Sequence, residues 1–90
     1  MIRQGKVDVI QPDLSRCGGL SQVRKILWEA EAAGVDVCAH AWLTDLLKAS
    51  SLHLNAYLMD SLYLEYNVSS ASLLNNLCKE KIPMVDGYIP

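Results

Sequence analysis

Short β-branched runs alternate with longer stretches of apolar residues at helical spacing along this 90-residue chain. Residues 7–11, Val-Asp-Val-Ile-Gln, are closed by Pro12, and such a run predicts a buried strand rather than the opening of a helix. After Gly18 and Gly19, the residues Leu20, Val23, Ile26, Leu27, Ala30 and Ala33 recur at helical spacing. Gly34 stands where a left-handed cap is expected, so a helix ends there. Residues 35–39 follow at once as a second strand, a tight connection that is normal between helix and strand. Residues 43–58 predict a second helix, with Leu43, Leu47, Leu54 and Leu58 on one side and Leu46, Ala49, Leu52 and Ala56 near another. A helix apolar on two sides wants cover on more than one face. Residues 61–66 form a third strand candidate, and Leu73, Leu74, Leu77 and Cys78 mark a last short helix stopped by Pro83. Residues 84–89 are expected to be extended. No internal repeat and no low-complexity segment stands out.

Strands and helices alternating at this rhythm predict an α/β fold of parallel strands joined by crossovers, the unit of open α/β sheets and of (β/α)₈ barrels alike. Three strands complete neither. Parallel strands are normally flanked by neighbours and buried on both faces, so bare strand edges and uncovered helix faces are expected, and with them self-association into a homo-oligomer.

Composition fits that expectation. Hydrophobic residues make up 51% of the chain and charged residues 20%, a balance that suits a piece of a larger core. The net charge is −2 and the eight Lys and Arg are scattered, which leaves no basic stripe for a nucleic-acid backbone. No apolar run is long enough to span a bilayer, and residues 1–6 have no signal-peptide core behind them. Cys17, Cys38 and Cys78 are odd in number and lack the paired spacing of a zinc site. Ordinary buried thiols in a cytoplasmic protein are therefore expected.

Candidate chemistry lies at the strand ends. Alternate side chains of a strand share a face, which groups Gln11 with Asp13, then Asp36 and Cys38 with His40, then Tyr63 and Glu65 with Asn67. Each strand thus delivers a polar group near its C-terminal end: Asp13, His40 and Glu65. In barrels that rim carries the chemistry. Each also has a plainer role. Asp13 suits a turn around Ser15, His40 a loop and Glu65 a solvated strand end. The series of acid, imidazole and acid on successive strands is what favours a site.

The residues 7–13, then Cys17-Gly18-Gly19-Leu20-Ser21, the helix closed by Ala32-Ala33-Gly34-Val35, and Ala39-His40-Ala41-Trp42 together resemble the late barrel of the enolase superfamily. The branch they resemble is the mandelate racemase and muconate lactonizing enzyme family, which includes the sugar-acid dehydratases. Asp13 and His40 lie 27 positions apart, as the Asp-His pair of that branch requires, and Leu64-Glu65-Tyr66-Asn67 resembles the following strand end. The resemblance implies a partial (β/α)₈ TIM barrel, about its last three β/α units, over residues 1–90. It also implies a carboxylate-bearing acid sugar as the parent enzyme's substrate.

On the same resemblance His40 is the base that removes a proton next to the substrate carboxylate, or the acid that returns it. Asp13 bonds its far ring nitrogen, and Glu65 faces the enediolate, the intermediate that enolase-superfamily enzymes stabilise with Mg²⁺. Trp42, Tyr63 and Asn67 are candidates to line the pocket, with barrel packing as the plainer role. The three carboxylates that bind Mg²⁺ in the family are not in this sequence, so the resemblance implies an enzyme fragment inactive alone. Ala39 before the histidine and Asp45 after Thr44 depart from the pattern and leave the substrate subgroup open. Two other functions stay open on the residues themselves: a non-catalytic self-assembling module, and a small nucleotide-binding α/β module resting on Gly18 and Gly19 without a G-x-G-x-x-G pattern.

Overall fold

A computed structural model of the chain describes residues 2–58, 61, 63–70 and 76–90. The elements run α1 (Ile2–Gly5), β1 (Val9–Ile10), α2 (Gly19–Ala33), β2 (Asp36–Val37) and α3 (Asp45–Tyr57). β1 and β2 are parallel, with Val9 opposite Asp36 and Ile10 opposite Val37. The pairing outlasts the named strands. Asp36 N–H donates to the Asp8 carbonyl at 2.9 Å, Cys38 to Ile10 at 3.0 Å and His40 to Pro12 at 3.1 Å, and Asp13 and His40 form a further parallel bridge. The fold is α/β, and its described centre is one β-α-β unit.

Between the strands, Gly18 and Gly19 both take positive φ, 97° and 76°, a region that side chains resist. A Cβ on Gly18 would also stand 3.1 Å from the Gln22 Cβ. Turning the chain into α2 therefore accounts for this glycine pair. α2 then buries Val23, Leu27 and Ala30 at i, i+4 and i+7. Gly34 ends the helix at φ 65°, its N–H donating to Glu31 while Val35 N–H reaches the Ala30 carbonyl, as the spacing predicts.

α3 starts at Thr44, whose hydroxyl accepts the Leu47 N–H at 3.0 Å. Leu47, Ser51 and Leu54 face inward and join Leu14, Val23, Leu27 and Ala39 in the core. Its second apolar side is not fully covered, since Leu46 is 61% exposed. β1 has β2 on one side and no other strand among the described residues. Beside it lies an open groove of about 700 Å³ with Ile2, Val7, Val9, Ile10 and Ile26 in its walls.

Four expectations need correction. Residues 61 and 63–66 are not a strand, although Leu62 lies outside the described residues. Among the described residues no main-chain ladder pairs with them, and side chains hold them instead. Of the last predicted helix, Leu73 and Leu74 lie outside the described residues, while Leu77 and Cys78 are not helical. Residues 84–89 are not simply extended: Val85 and Tyr88 bond each other across a turn in which Asp86 and Gly87 have φ of 50° and 83°. The three cysteines are free but only partly buried. The four-residue α1, to which the periodicity assigned no element, is tied to α2 by a two-pronged ion pair between Arg3 and Glu29.

Leu27 sits at the contact of α2 with the rest of the core and is 6% exposed. Leu27→Ala is expected to destabilise the chain by about 2–5 kcal/mol. The measurement is urea denaturation, and a change within the roughly ±0.5 kcal/mol typical of an exposed site would place Leu27 outside the core.

Candidate active site

The parallel register brings Asp13 and His40 side by side. The carboxylate is buried at 8% exposure, with the imidazole partly exposed beside it. Asp13 Oδ1 accepts the Ser15 N–H at 2.8 Å and the Ser15 hydroxyl, while Oδ2 lies 2.8 Å from His40 Nδ1. The turn role and the histidine contact therefore coexist, one on each oxygen. Arg16 Nε stands 3.7 Å from Oδ2 at the exposed edge. Burial by itself pushes the Asp13 carboxyl up, but the hydrogen bonds from Ser15 and His40 outweigh it and hold the group below its ordinary value. A carboxylate accepts only, so in the neutral imidazole the proton belongs on Nδ1 and the lone pair on Nε2.

Nε2 faces the third residue. Glu65 Oε2 is 3.7 Å away, and the same oxygen accepts the Ala41 N–H at 2.7 Å. The structure thus brings Asp13, His40 and Glu65 together, with the ring between the two acids. Two residues back along each strand, Gln11 and Cys38 line the same cavity, and the Cys38 thiol donates to the Tyr63 carbonyl at 3.3 Å. Burial, and then the charge of Glu65, push that thiol up.

The remaining candidates are placed differently. Trp42 and Tyr63 are exposed at 51% and 75%, and what bonds them is their backbone: Asn67 Nδ2 donates to the Trp42 carbonyl at 2.7 Å, and Asn55 Nδ2 to the Tyr63 carbonyl at 2.8 Å. Asn67 is buried with both ends of its amide engaged, since its Oδ1 accepts the Ser69 N–H. Its bonds are those of a fastener between residues 65–69 and the loop after His40. Sequence reasoning missed the Ala41 N–H, a main-chain donor that no side-chain pattern reveals. It also missed Lys48, whose spacing of three from Asp45 on one helix face was the available signal.

Magnesium takes oxygen ligands in a near-octahedral shell. Among the described residues no group of three or more His, Cys, Asp or Glu is gathered to hold a metal ion. Buried and half-buried carboxylates already have partners: Asp13 has Ser15 and His40, Glu65 has Ala41, and Asp45 has Lys48 and Lys81. These residues do not fit an Mg²⁺ centre. Among the described residues no helix is long and apolar enough to cross a membrane.

A parallel β-α-β unit with an acid–imidazole contact at its strand ends defines the class, an α/β protein with a candidate acid–base site at the strand C-termini. The chain belongs to the enolase C-terminal domain-like family, whose profile matches residues 1–90. It is 36% identical to D-galactonate dehydratase of Pectobacterium atrosepticum over 94 residues, covering 98% of this chain and 25% of that protein. It is 42% identical to D-galactarolactone cycloisomerase of Agrobacterium fabrum over 52 residues, covering 58% of this chain and 14% of that protein. The chain thus spans about a quarter or less of the length of these curated relatives.

Because the Asp13 carboxyl is held below its ordinary value, its contribution to stability is fully present above the unfolded value of about 3.9 and is lost as the pH falls through the lower folded value. Asp13→Asn is expected to lower the melting temperature at neutral pH, with the gap to the parent chain closing on the acid side. Melting curves from pH 2 to 7 check this, and a gap that stays constant below pH 4 would contradict it.

Proposed function

We propose that this chain is the C-terminal part of an enolase-type catalytic barrel, about its last three β/α units, and that it supplies the acid–base residue of an enzyme acting on acid sugars. The single observation that carries the reading is the Asp13–His40 contact at paired strand ends, with Glu65 across the ring. Relatives named as a galactonate dehydratase and a galactarolactone cycloisomerase support a sugar-acid substrate.

In the proposed reaction His40 Nε2 removes the proton on the carbon next to the substrate carboxylate. The C–H electron pair passes into the enediolate, and Asp13 holds the resulting imidazolium through Nδ1. Glu65, on the Nε2 side, sits where the substrate carboxylate and its enediolate form would face it. In a dehydration the proton then goes to the departing β-hydroxyl, which leaves as water as the β-carbon–oxygen bond breaks. In a racemisation a proton returns to the α-carbon. Trp42 and Tyr63, both exposed, are proposed to line the pocket of the whole barrel, with Asn67 bonded to the Trp42 carbonyl and Asn55 to the Tyr63 carbonyl. The free thiols of Cys17, Cys38 and Cys78 support a cytoplasmic setting.

The proposed barrel context also accounts for surfaces that the described residues leave open, namely one side of β1 and part of the second apolar side of α3. Alone, the chain is expected to self-associate and to turn over no acid sugar. Light scattering on the 10.0 kDa chain is expected to report a mass above that of one copy, and a well-folded monomer would contradict it.

The enzymatic reading is tested in a hybrid in which this chain replaces the matching quarter of the galactonate dehydratase. The hybrid is expected to dehydrate an acid sugar, and His40→Asn to lower kcat on the order of 10²–10⁴-fold with an unchanged circular dichroism spectrum. A folded, active hybrid that tolerates H40N would remove His40 from the chemistry.

A further inference from the structure

A group of charges outside the acid–imidazole contact has a place in the fold but no part in the reaction above. Lys48 lies on the inner side of α3 and is only 4% exposed. Its Nζ stands 3.8 Å from Asp45 Oδ1, while the other Asp45 oxygen accepts Lys81 Nζ at 3.1 Å. The same ammonium lies 4.1 Å from the centroid of the Tyr66 ring. Withdrawing an ammonium from water is costly unless partners replace the lost hydration, and here the partners are a carboxylate and an aromatic face. The tip of that ring is fixed too, since the Tyr66 hydroxyl donates to the Ile82 carbonyl at 2.8 Å.

Tyr66 is the residue between Glu65 and Asn67. Side chains alternate along an extended segment. Glu65 and Asn67 turn toward the loop after His40, where they meet Ala41 N–H and the Trp42 carbonyl, and Tyr66 turns the other way onto Lys48. Among the described residues no β-ladder holds 63–67, and their place is set by such side-chain fastenings.

We propose that Lys48 is a positioning residue: locked by Asp45, it clamps the Tyr66 ring and thereby sets Glu65 on the Ala41 N–H and opposite His40 Nε2. The role of Glu65 in catalysis rests on the reading given above, but its placement by Lys48 does not need it. Asp45 acts here as the anion that keeps Lys48 in place.

The test uses the full 90-residue chain and the amide resonance of Ala41 in ¹H–¹⁵N spectra. A carboxylate acceptor at 2.7 Å deshields that amide proton, and Glu65→Ala gives the reference position for its loss. Lys48→Met is expected to move the Ala41 proton upfield toward the E65A position while the Val23, Leu27 and Ala30 amides of α2 stay in place. Lys48→Arg, which keeps a cation over the ring, is expected to leave Ala41 close to the parent. A folded K48M with Ala41 unmoved, or a K48R that shifts as far as K48M, overturns the proposal. If K48M loses the α2 signals, Tyr66→Leu is judged by the same criterion. Loss of those signals in both variants makes the pair a core element and equally overturns it. A shifted Ala41 amide together with an inactive hybrid enzyme would sink the catalytic reading and leave the positioning role standing.

Discussion

Main-chain hydrogen bonds between the two strands set a constant offset of 27 residues, and the Asp13–His40 contact on which the candidate site is built depends on that offset. The offset that puts Val9 beside Asp36 puts Asp13 beside His40. A slip of one residue would turn His40 to the opposite face of the pair, where the buried alanines 39 and 41 now sit. The contact is protected from such a slip at both ends. Gly34 stops α2 so that the second strand starts without slack, and Ser15 holds the free oxygen of Asp13 so that its carboxylate cannot rotate away. Hydrogen bonds to an ionised group are worth about 1.5–3 kcal/mol, enough for the Ser15 tether to matter in a chain this small.

Beyond the second strand the means of construction change. Residues 63–67 take their position from a thiol, two amides, a carboxylate and a phenol rather than from a ladder. α3 supplies both Asn55 near the start of the segment and Lys48 near its end. The helix therefore acts as a rail along which the third polar group is brought to the imidazole. The charged triplet of Asp45, Lys48 and Lys81 also ties residue 81 back to the start of the same helix.

What could be read in advance follows from how local each determinant is. α2 and α3 declared themselves through apolar spacing and, for α2, through Gly34, because helix bonds close within a few residues. The two strands and the Asp13–His40 pair were legible for a related reason: one helix of ordinary length fixes the separation of the two strand ends. The segment at 61–66 has the composition of a strand, but strand structure needs a hydrogen-bonded neighbour, and none pairs with it among the described residues. The turn at Asp86-Gly87 carried a signal in that dipeptide which the surrounding apolar residues masked. Lys48 was hidden because a lysine on an amphipathic helix is expected in water, and among the described residues the Asp45 carboxylate and the Tyr66 ring explain its burial.

The acceptor bond from Glu65 ends on a peptide nitrogen, and this bears on how such a site tolerates genetic drift. A donor that belongs to the main chain survives every replacement at position 41 except proline, which has no N–H. The limit on that position is bulk, since the Ala41 side chain is wholly enclosed. Codon changes there would be screened by fit to a closed apolar space rather than by loss of the donor, so the acid beside the imidazole can keep its seat while neighbouring positions diversify.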